Sequence, residues 1–522
     1  MATFKTKDGK EVEAFEKGSL GSVRLKRELG LFSAVNMIVG VMIGSGIFIS
    51  PTSALFHTGS VAFCIIVWIL CGIISLMGAL AFAELGTVVP RSGAEYAYFQ
   101  EAFGPLHRFW GPLPSFICSW IYIMILKPAE VAVLVLTFAE YTIVPLGVLF
   151  DYDHMSTDHQ DMLKKLVGML TLGIITVINI SSVKLYVKLQ NIFATCKVFA
   201  CIVVIIGGIY ELSIGNYSNL EKGFEGSKTG AGSIALAFYS GLWAYDGWTA
   251  VTTVTEEIQN PSVNIPRSII IAVPSITALY VFMNIAYMTV LSVPEMMESS
   301  AVAMSFGGKA LGPFVYLIPV GVAIATFGCA LSLQFGVTRL CYVAGKDGHT
   351  IEVFSFVHMR RFTPAAAVAF QGLVAFLFIV VGNIHQLIDF ASFLIWIFYG
   401  GAMVALLVMR RTHAHVPRPY KVPLVVPYFV LSVAIFLSVV PIVGDPSIKY
   451  LFAIAFILLG VAVYTYFIYY NKRPRVMGEF CSNNETMVFL SCVFLCTVNL
   501  WEGKQSAVAR PDVFSCPHVN AF

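Results

Sequence analysis

Charged residues are scarce in this chain. They make up only 12% of its 522 residues, whereas about a quarter of the residues of a typical soluble domain are charged. Apolar residues reach 57%, and the mean hydropathy is +0.80. The net charge is only +3 and there is no long acidic or basic block, so a nucleic-acid partner is not expected. The composition predicts an all-α integral membrane protein whose surroundings are the lipid bilayer.

Cysteine is missing from every loop that we predict to lie outside the membrane. The eleven cysteines fall within apolar segments or near the C-terminus. We therefore expect no external disulfide, either within the chain or to a partner. No spacing of Cys and His resembles a zinc site, and no metal or cofactor is expected. Residues 1–30 are polar and have no apolar h-region, so we also expect no cleaved signal peptide.

Long apolar segments predict about twelve membrane spans, because a helix needs ~20 residues to cross a hydrocarbon core of ~30 Å. The predicted spans are 31–56, 61–88, 113–146, 165–183, 190–212, 231–255, 266–292, 313–343, 364–382, 384–409, 423–443 and 448–470. Lys and Arg are more frequent in the loops on the N-terminal side of the membrane, so the positive-inside rule places both termini in the cytoplasm. Asn216, in an Asn-Tyr-Ser sequence after the fifth span, is a glycosylation candidate on the outer side.

Gly44, Ser45 and Gly46 interrupt the first predicted span. Glycine leaves the backbone free and serine offers it a competing hydrogen bond, so we expect the helix to break there. Unwound backbone within a membrane is tolerated where protein or a water-filled cavity satisfies its polar groups. A helix that restarts presents free N–H groups and a positive dipole end, which suits a small carboxylate. The spacing of Gly40 and Gly44 also fits simple helix packing, and that alternative stays open.

A second glycine-flanked interruption, over 240–248, lies in the sixth predicted span. Broken helices at corresponding positions in two blocks of spans indicate an inverted-repeat transporter. The two blocks would each contain five spans. The predicted organisation is a cytoplasmic tail over 1–30, a transmembrane transporter domain over 31–470 (repeats 31–212 and 231–409, appended helices 423–470) and a cytoplasmic tail over 471–522.

Several charged residues lie within the predicted spans, where a charge is costly and usually faces a cavity or a partner. Asp246 lies in the second break and either faces a ligand cation or caps the helix that follows. Lys127 and Glu130 are three residues apart on one helical face and can neutralise each other. Lys197 either extends to the interface or places a fixed cation inside the membrane. The acidic residues at the inner ends of spans, which form either gating salt bridges or ordinary interfacial charges, are Glu84, Glu256 and Glu257.

Six motifs together resemble the light chains of heteromeric amino-acid transporters, the L-type branch of the amino-acid/polyamine/organocation superfamily. The resemblance runs in order over about residues 25–474. The matching segments are 44–48 (GSGIF), 83–87 (AELGT), 92–96 (SGAEY), 241–248 (GLWAYDGW), 255–261 (TEEIQNP) and 339–349 (RLCYVAGKDGH). Within the family, the 243–248 segment is most similar to the exchanger for cystine, dibasic and neutral amino acids.

The resemblance implies a sodium-independent amino-acid exchanger of the plasma membrane that works by alternating access. Such a cycle makes no covalent bonds, so the protein is not expected to be an enzyme. Backbone N–H groups would hold the substrate carboxylate, carbonyl groups would take its ammonium, and Asp246 would attract a cationic side chain. Lys197 matches the lysine that stands in for the sodium ion in this family. The implied substrate-binding residues, with Trp243 as a wall or gate, are Met42, Ile43, Ser45, Gly46, Trp243, Ala244 and Asp246.

Differences from the family leave the amino-acid preference open. The residues that differ near the expected pocket, and are therefore candidates for selectivity, are Glu130, Thr249 and Ser332. We expect neutral and cationic L-amino acids as substrates. The alternatives are an exchanger restricted to neutral or aromatic amino acids and a non-transporting amino-acid sensor on the same fold. The family's linking cysteine is absent from 147–165, so pairing with a single-span glycoprotein heavy chain is either non-covalent or absent.

The C-terminal tail carries two further signals. Residues 487–501 are apolar but too few for a comfortable span. We expect this segment to lie along the inner interface as an amphipathic helix. Residues 519–522 end in a hydrophobic carboxyl terminus, which a PDZ-type domain could bind as an edge strand.

Overall fold

The computed structural model describes residues 3–5, 11–13, 27–150, 155–299, 302–357, 363–381, 384–444 and 448–470. The tail predictions over 487–501 and 519–522, and most of the predicted N-terminal tail, lie outside these residues. The described part is almost entirely helical. At its start, β1 (Thr3–Lys5) pairs antiparallel with β2 (Glu11–Glu13).

The α-helices follow one another along the chain with short connections. They are α1 (Leu31–Met42), α2 (Gly46–Thr58), α3 (Val61–Val88), α4 (Glu95–Phe103), α5 (Leu113–Ile121), α6 (Lys127–Phe150), α7 (Thr157–Ser181), α8 (Val183–Ser213), α9 (Ser218–Glu221), α10 (Ala231–Ala244), α11 (Ala250–Thr253), α12 (Pro261–Val290), α13 (Val293–Glu298), α14 (Val302–Ala310), α15 (Leu317–Lys346), α16 (Ala365–Val381), α17 (Ile384–Thr412), α18 (Val425–Gly444) and α19 (Ile448–Val463). Two π-helical segments, Tyr122–Leu126 and Tyr464–Tyr469, continue α5 into α6 and extend α19.

The helices confirm the prediction of about twelve membrane spans. Within the described residues, eight helical stretches are long and apolar enough to cross a membrane, and α1 with α2 forms a further span that bends by 47°. Three shorter apolar helices, α10, α16 and α18, lie where the sixth, ninth and eleventh spans were predicted. Some spans begin earlier than hydropathy indicates. For example, α8 starts at Val183 because the Ser182 side chain accepts the N–H of Lys184 at 3.2 Å and so caps the helix.

The predicted break in the first span is confirmed. Helix α1 ends at Met42, Ile43 leaves the helical region with ψ 82°, and α2 begins at Gly46. The alternative role in helix packing also holds for Gly40, because a Cβ there would lie 1.5 Å from the Gln190 side-chain nitrogen on α8. The segment therefore combines a backbone break with a close helix contact.

The predicted bounds of the second break are wrong at their N-terminal side. Helix α10 continues through Ala244, so the break begins at Tyr245 and not at Ser240. Ser240 satisfies its hydroxyl by donating to the Leu236 carbonyl at 3.0 Å, which is compatible with a helix. Gly241 serves close packing instead, because a Cβ there would lie 2.6 Å from the sulfur of Cys71.

Ion pairs cluster at the end of the bundle where α1 begins, which we call the inner end. The pairs are Arg339–Glu257 (2.7 Å), Arg410–Glu84 (2.5 Å) and Arg91–Asp347 (2.7 Å). Glu84 and Glu257 are buried and paired with arginines, so they are not ordinary interfacial charges. Gating by these salt bridges stays a prediction. The Glu256 carboxylate instead accepts the backbone N–H of Ser92 at 3.3 Å.

Candidate functional site

The two helix breaks lie directly against each other. A Cβ on Gly46 would lie only 2.6 Å from the Cα of Ala244, so glycine is what allows α2 to approach α10 this closely. On the other side, Gly247 has φ +112°, and a Cβ there would lie 2.5 Å from the Val41 side chain. That conformation is open to glycine and strained for other residues. Glycines in both breaks thus bring the ends of four helical segments together.

A cavity lies at this junction, which we call the central cavity. Helix geometry leaves the first amides of α2, from Gly46 onward, without acceptors inside the helix. Of these, the Phe48 N–H is taken by the carbonyl of Ser45 at 3.1 Å. The predicted site residues that line the cavity are Met42, Ser45, Gly46, Trp243, Ala244, Asp246 and Glu130. Ile43, which was also predicted, is fully buried and does not line this cavity.

The carbonyl groups at the C-terminal end of α1 are each bound by a side chain from another helix. The bonds are Lys197 Nζ to Gly40 (2.5 Å), Cys329 Sγ to Val41 (3.1 Å) and Tyr280 Oη to Met42 (2.7 Å). The C-terminal end of a helix carries a partial negative charge and therefore favours a cation. The fully buried Lys197 ammonium lies where such a cation is favoured. This placement excludes the alternative in which Lys197 extends to the interface.

Tyr280 connects the two breaks and was not identified from the sequence. Its hydroxyl lies 2.7 Å from the carbonyl of Met42 and 3.2 Å from the carbonyl of Ala244. Each carbonyl oxygen has two lone pairs. The Met42 carbonyl also accepts the Gly44 N–H at 2.9 Å, so the Ala244 carbonyl is the one of the two that retains capacity to accept from a ligand. Nothing in the local pattern around Tyr280 marks it, because its partners are 238 and 36 residues away in the chain.

Asp246 does not cap the following helix, so that alternative is wrong. Helix α11 has Thr249 at its N-cap position, with no side-chain capping bond. The Asp246 carboxylate instead accepts a hydrogen bond of 2.5 Å from the Tyr399 hydroxyl on α17. Asp246 is only partly buried, and it lines both the central cavity and a second cavity on the inner side, which we call the inner cavity. The Asp246 carboxylate therefore borders both of these cavities.

Lys127 and Glu130 form the predicted ion pair. The Lys127 ammonium lies 3.0 Å and 2.9 Å from the two carboxylate oxygens of Glu130. The pair separates the two cavities, since Glu130 lines the central cavity and Lys127 the inner one. Because both oxygens of Glu130 are engaged, this carboxylate offers less free charge to a substrate than Asp246 does.

The remaining predicted residues lie at different distances from the central cavity. Thr249 and Ser332 line the inner cavity. Lys197 lies behind the first break and lines neither cavity. Asn216 is exposed in the turn after α8, and its amide donates to Glu211 at 2.6 Å.

The chain is similar to known membrane transport proteins over most of its length. It matches the family model for amino acid permeases over residues 29–463. It is 41% identical to the b(0,+)-type amino acid transporter 1 of Rattus norvegicus, over 86% of this chain and 89% of that protein. It is 36% identical to the large neutral amino acids transporter small subunit 2 of Mus musculus, over 98% of this chain and 93% of that protein. It is 35% identical to the human cystine/glutamate transporter, over 88% of this chain and 89% of that protein.

These matches confirm the family resemblance seen in the motifs of the sequence. The matched region contains both helix breaks and all the residues that line the central cavity. The chain belongs to the amino acid permease family, in the branch of the heteromeric amino-acid transporter light chains.

Proposed function

We propose that this protein is a sodium-independent exchanger of neutral and cationic L-amino acids that works by alternating access in the plasma membrane. The observation that carries the proposal is the contact of two broken helices around one cavity. The first amides of α2 offer donors to a carboxylate, and the carbonyl end of α10 offers acceptors to an ammonium. These are the two groups that all amino acids share. The names of the three relatives, which are amino-acid transporters, support the same substrate class.

Lys197 supports the proposal that transport needs no sodium. Its ammonium already donates to the Gly40 carbonyl beside the first break. A covalently held cation can satisfy carbonyls that would otherwise coordinate a bound sodium ion. The break then keeps its geometry at any sodium concentration.

Asp246 supports the proposal that cationic amino acids are substrates. Its carboxylate lines the central cavity next to Trp243 and Ala244, where it can attract a guanidinium or ammonium group. Its hydrogen bond to Tyr399 favours a second candidate, an exchanger restricted to neutral or aromatic amino acids in which Asp246 is purely structural. The two candidates differ in one measurable quantity, the ratio of arginine to leucine transport.

The wider organisation that we propose follows the predicted one. Two inverted repeats over 31–212 and 231–409 would rock about the central cavity, with appended helices over 423–470 and cytoplasmic tails on both sides. The buried pair Arg339–Glu257 would open and close at the inner end. Because 147–165 has no cysteine, we propose that any heavy chain binds non-covalently.

The proposal is tested by uptake of labelled arginine and leucine into liposomes that contain only this chain. Internal amino acid and external sodium are varied independently. Uptake that requires internal amino acid but not sodium is the expected result. A strict sodium requirement would contradict the proposal. Binding of amino acids without any flux would identify a sensor instead.

The orientation is tested at Asn216, which is exposed at the outer end. Expressed in animal cells, the chain is expected to carry a glycan that a glycosidase removes, and Asn216→Gln is expected to lack it. Asn219, three residues further and not in a glycosylation sequence, provides the control Asn219→Gln. An unglycosylated wild-type chain that reacts with a cytoplasmic label in this loop would contradict the orientation.

A further inference from the structure

The inner cavity extends from the central site toward the inner end and has an acidic character that the proposed function does not use. Val41, Asp246 and Leu333 line both cavities, so Asp246 stands at the boundary between them. Farther in, the lining includes Glu95, the first residue of α4, and Lys127. Two carboxylates and one ammonium therefore belong to this cavity.

The single ammonium is already committed. Both oxygens of Glu130 bind Lys127, at 3.0 Å and 2.9 Å. The Asp246 carboxylate has a hydroxyl partner, which supplies a hydrogen bond but no positive charge. Among the described residues that line the inner cavity, Glu95 and Asp246 thus lack a cation of their own.

Glu95 is the more unusual of the two carboxylates. Its side chain is only 2% exposed, and its Oε1 atom has no hydrogen-bond partner among the described residues. A buried carboxylate oxygen without a hydrogen-bond donor is costly, so such groups usually serve a ligand or shift their protonation. Burial raises the pKa of the Glu95 carboxyl to about 7, and Asp246 adds to the rise. Hydrogen bonds from its own backbone N–H and from the Tyr122 side chain, together with the charge of Lys127, act in the opposite direction. A cation that entered the cavity would hold this group ionised.

The backbone holds Glu95 in place at some conformational cost. Gly93 has φ +107° and Ala94 has φ +44°, the latter in a region that alanine rarely adopts. Strained residues of this kind persist where the surrounding structure demands a particular position, often at functional sites. Here they begin α4 at Glu95, where the positive end of the helix favours a carboxylate.

We propose that Glu95 and Asp246 form a cation subsite on the inner side of the central site, which takes the guanidinium or ammonium end of a cationic amino acid during its passage. The subsite rests on the proposed exchange function and adds to it a group that selects for cationic substrates. A neutral amino acid brings no charge to the subsite and gains nothing from it.

The test is Glu95→Gln, measured by exchange of arginine and of leucine in liposomes that contain the full chain. The ratio of the arginine to the leucine half-saturation concentration is expected to rise about tenfold, which corresponds to about 1.4 kcal/mol. Glu95→Asp, which keeps the charge, is expected to raise the ratio less than Glu95→Gln does. Glu101→Gln is the matched control, because Glu101 lies on the same helix with a 43% exposed side chain next to His413; its ratio is expected to stay that of the wild type.

Several outcomes would overturn the subsite. An unchanged ratio in Glu95→Gln, or an equal loss for arginine and leucine, would make Glu95 a structural group. If amino-acid exchange moves protons in the wild type but not in Glu95→Gln, the ligand of Glu95 is a proton and not a cationic side chain. Wild-type protein that exchanges leucine but not arginine would overturn the subsite while the exchange function stands. Wild-type protein that exchanges neither would overturn the proposed function first.

Discussion

Asp246 and Tyr399 show how one hydrogen bond affects the use of an acidic side chain within a membrane. The Tyr399 hydroxyl donates to one carboxylate oxygen at 2.5 Å. The bond gives this partly buried carboxylate a donor beside an apolar cavity. The same bond would also be present if Asp246 had only a structural role. Two substitutions separate these roles.

We predict that Asp246→Asn raises the half-saturation concentration for arginine by about ten- to a hundredfold, because a charged contact of about 1.5–3 kcal/mol is lost. Leucine exchange is expected to change much less. Tyr399→Phe, which removes the hydrogen bond but keeps the carboxylate, is expected to retain a preference for arginine. Exchange kinetics in liposomes measure both. If the two variants impair arginine and leucine equally, Asp246 is structural.

Lys197→Met is predicted to lower sodium-free exchange at least about tenfold. The substitution leaves the buried Gly40 carbonyl without its donor, at a cost of about 1–3 kcal/mol. Lys188→Met, on the exposed side of the same helix, is the matched control and is expected to behave as the wild type. Normal sodium-free exchange by Lys197→Met would show that the fixed cation is dispensable.

At the scale of helices, the contact between α2 and α10 decides the geometry of the site. It depends on the absence of a side chain at Gly46, and the C-terminal end of α10 must remain helical up to Ala244 for the contact to form. Packed helices tolerate extra atoms poorly, because the interior is already close-packed.

Gly46→Ala is therefore predicted to reduce exchange of every amino acid by more than about tenfold, with a destabilisation of about 1–3 kcal/mol from overpacking. Gly232→Ala is the matched control on α10, since a Cβ there meets nothing within 4 Å. Exchange rates and thermal unfolding of the purified variants measure the effect. Wild-type exchange rates in Gly46→Ala would mean that exchange does not depend on the close contact between α2 and α10.

The second break also shows how far an element can be predicted. The glycines and Asp246 in the sequence predict that a break exists, but they do not predict the residue at which it begins. Ser240 and Gly241 look like helix-breaking residues in the sequence, whereas in the structure one bonds back to its own helix and the other packs on Cys71. These contacts keep Ser240 and Gly241 in the helix, which local residue preferences did not predict.

At the scale of the whole molecule, the inner end is joined by contacts between distant segments. The Tyr96 hydroxyl lies 3.1 Å from Asp347 and 3.0 Å from Nδ1 of His349, while Arg91 binds Asp347 at 2.7 Å. Burial lowers the pKa of His349 to about 4, and Asp347 opposes that change. His349 is therefore neutral in the folded protein at neutral pH.

Stability is predicted to fall as the pH is lowered through this range. Between pH 6.5 and about 4 the unfolded chain binds more protons at His349 than the folded one does. Its contribution is thus fully present above pH 6.5 and is lost toward pH 4. The loss amounts to about 2 kcal/mol at pH 5. The unfolding temperature of the wild type should drop between pH 7 and 5, and that of His349→Gln should drop less. The exposed His415 gives the control His415→Gln; equal pH dependence in both variants would contradict the prediction.

The sequence alone determined what depends on neighbouring residues. The apolar segments predicted about twelve helices, and the glycines of the first span predicted its break. The spacing of three residues between Lys127 and Glu130 predicted their ion pair. Hydropathy, backbone freedom and spacing along one helix are all local properties. Family motifs added the expected roles of Asp246 and Lys197, which stay predictions.

Only the tertiary structure decided which groups meet across the chain. Tyr280 joins the two breaks, Tyr399 binds Asp246 from 153 residues away, and Glu95 reaches the inner cavity from a short helix outside the spans. No local pattern marks Tyr280 or Tyr399. Glu95 lies in the family motif 92–96, but nothing local assigns it a partner, because packing alone brings each of these groups to a backbone end or another charge. Helix packing, which joins positions far apart in sequence, therefore built the site.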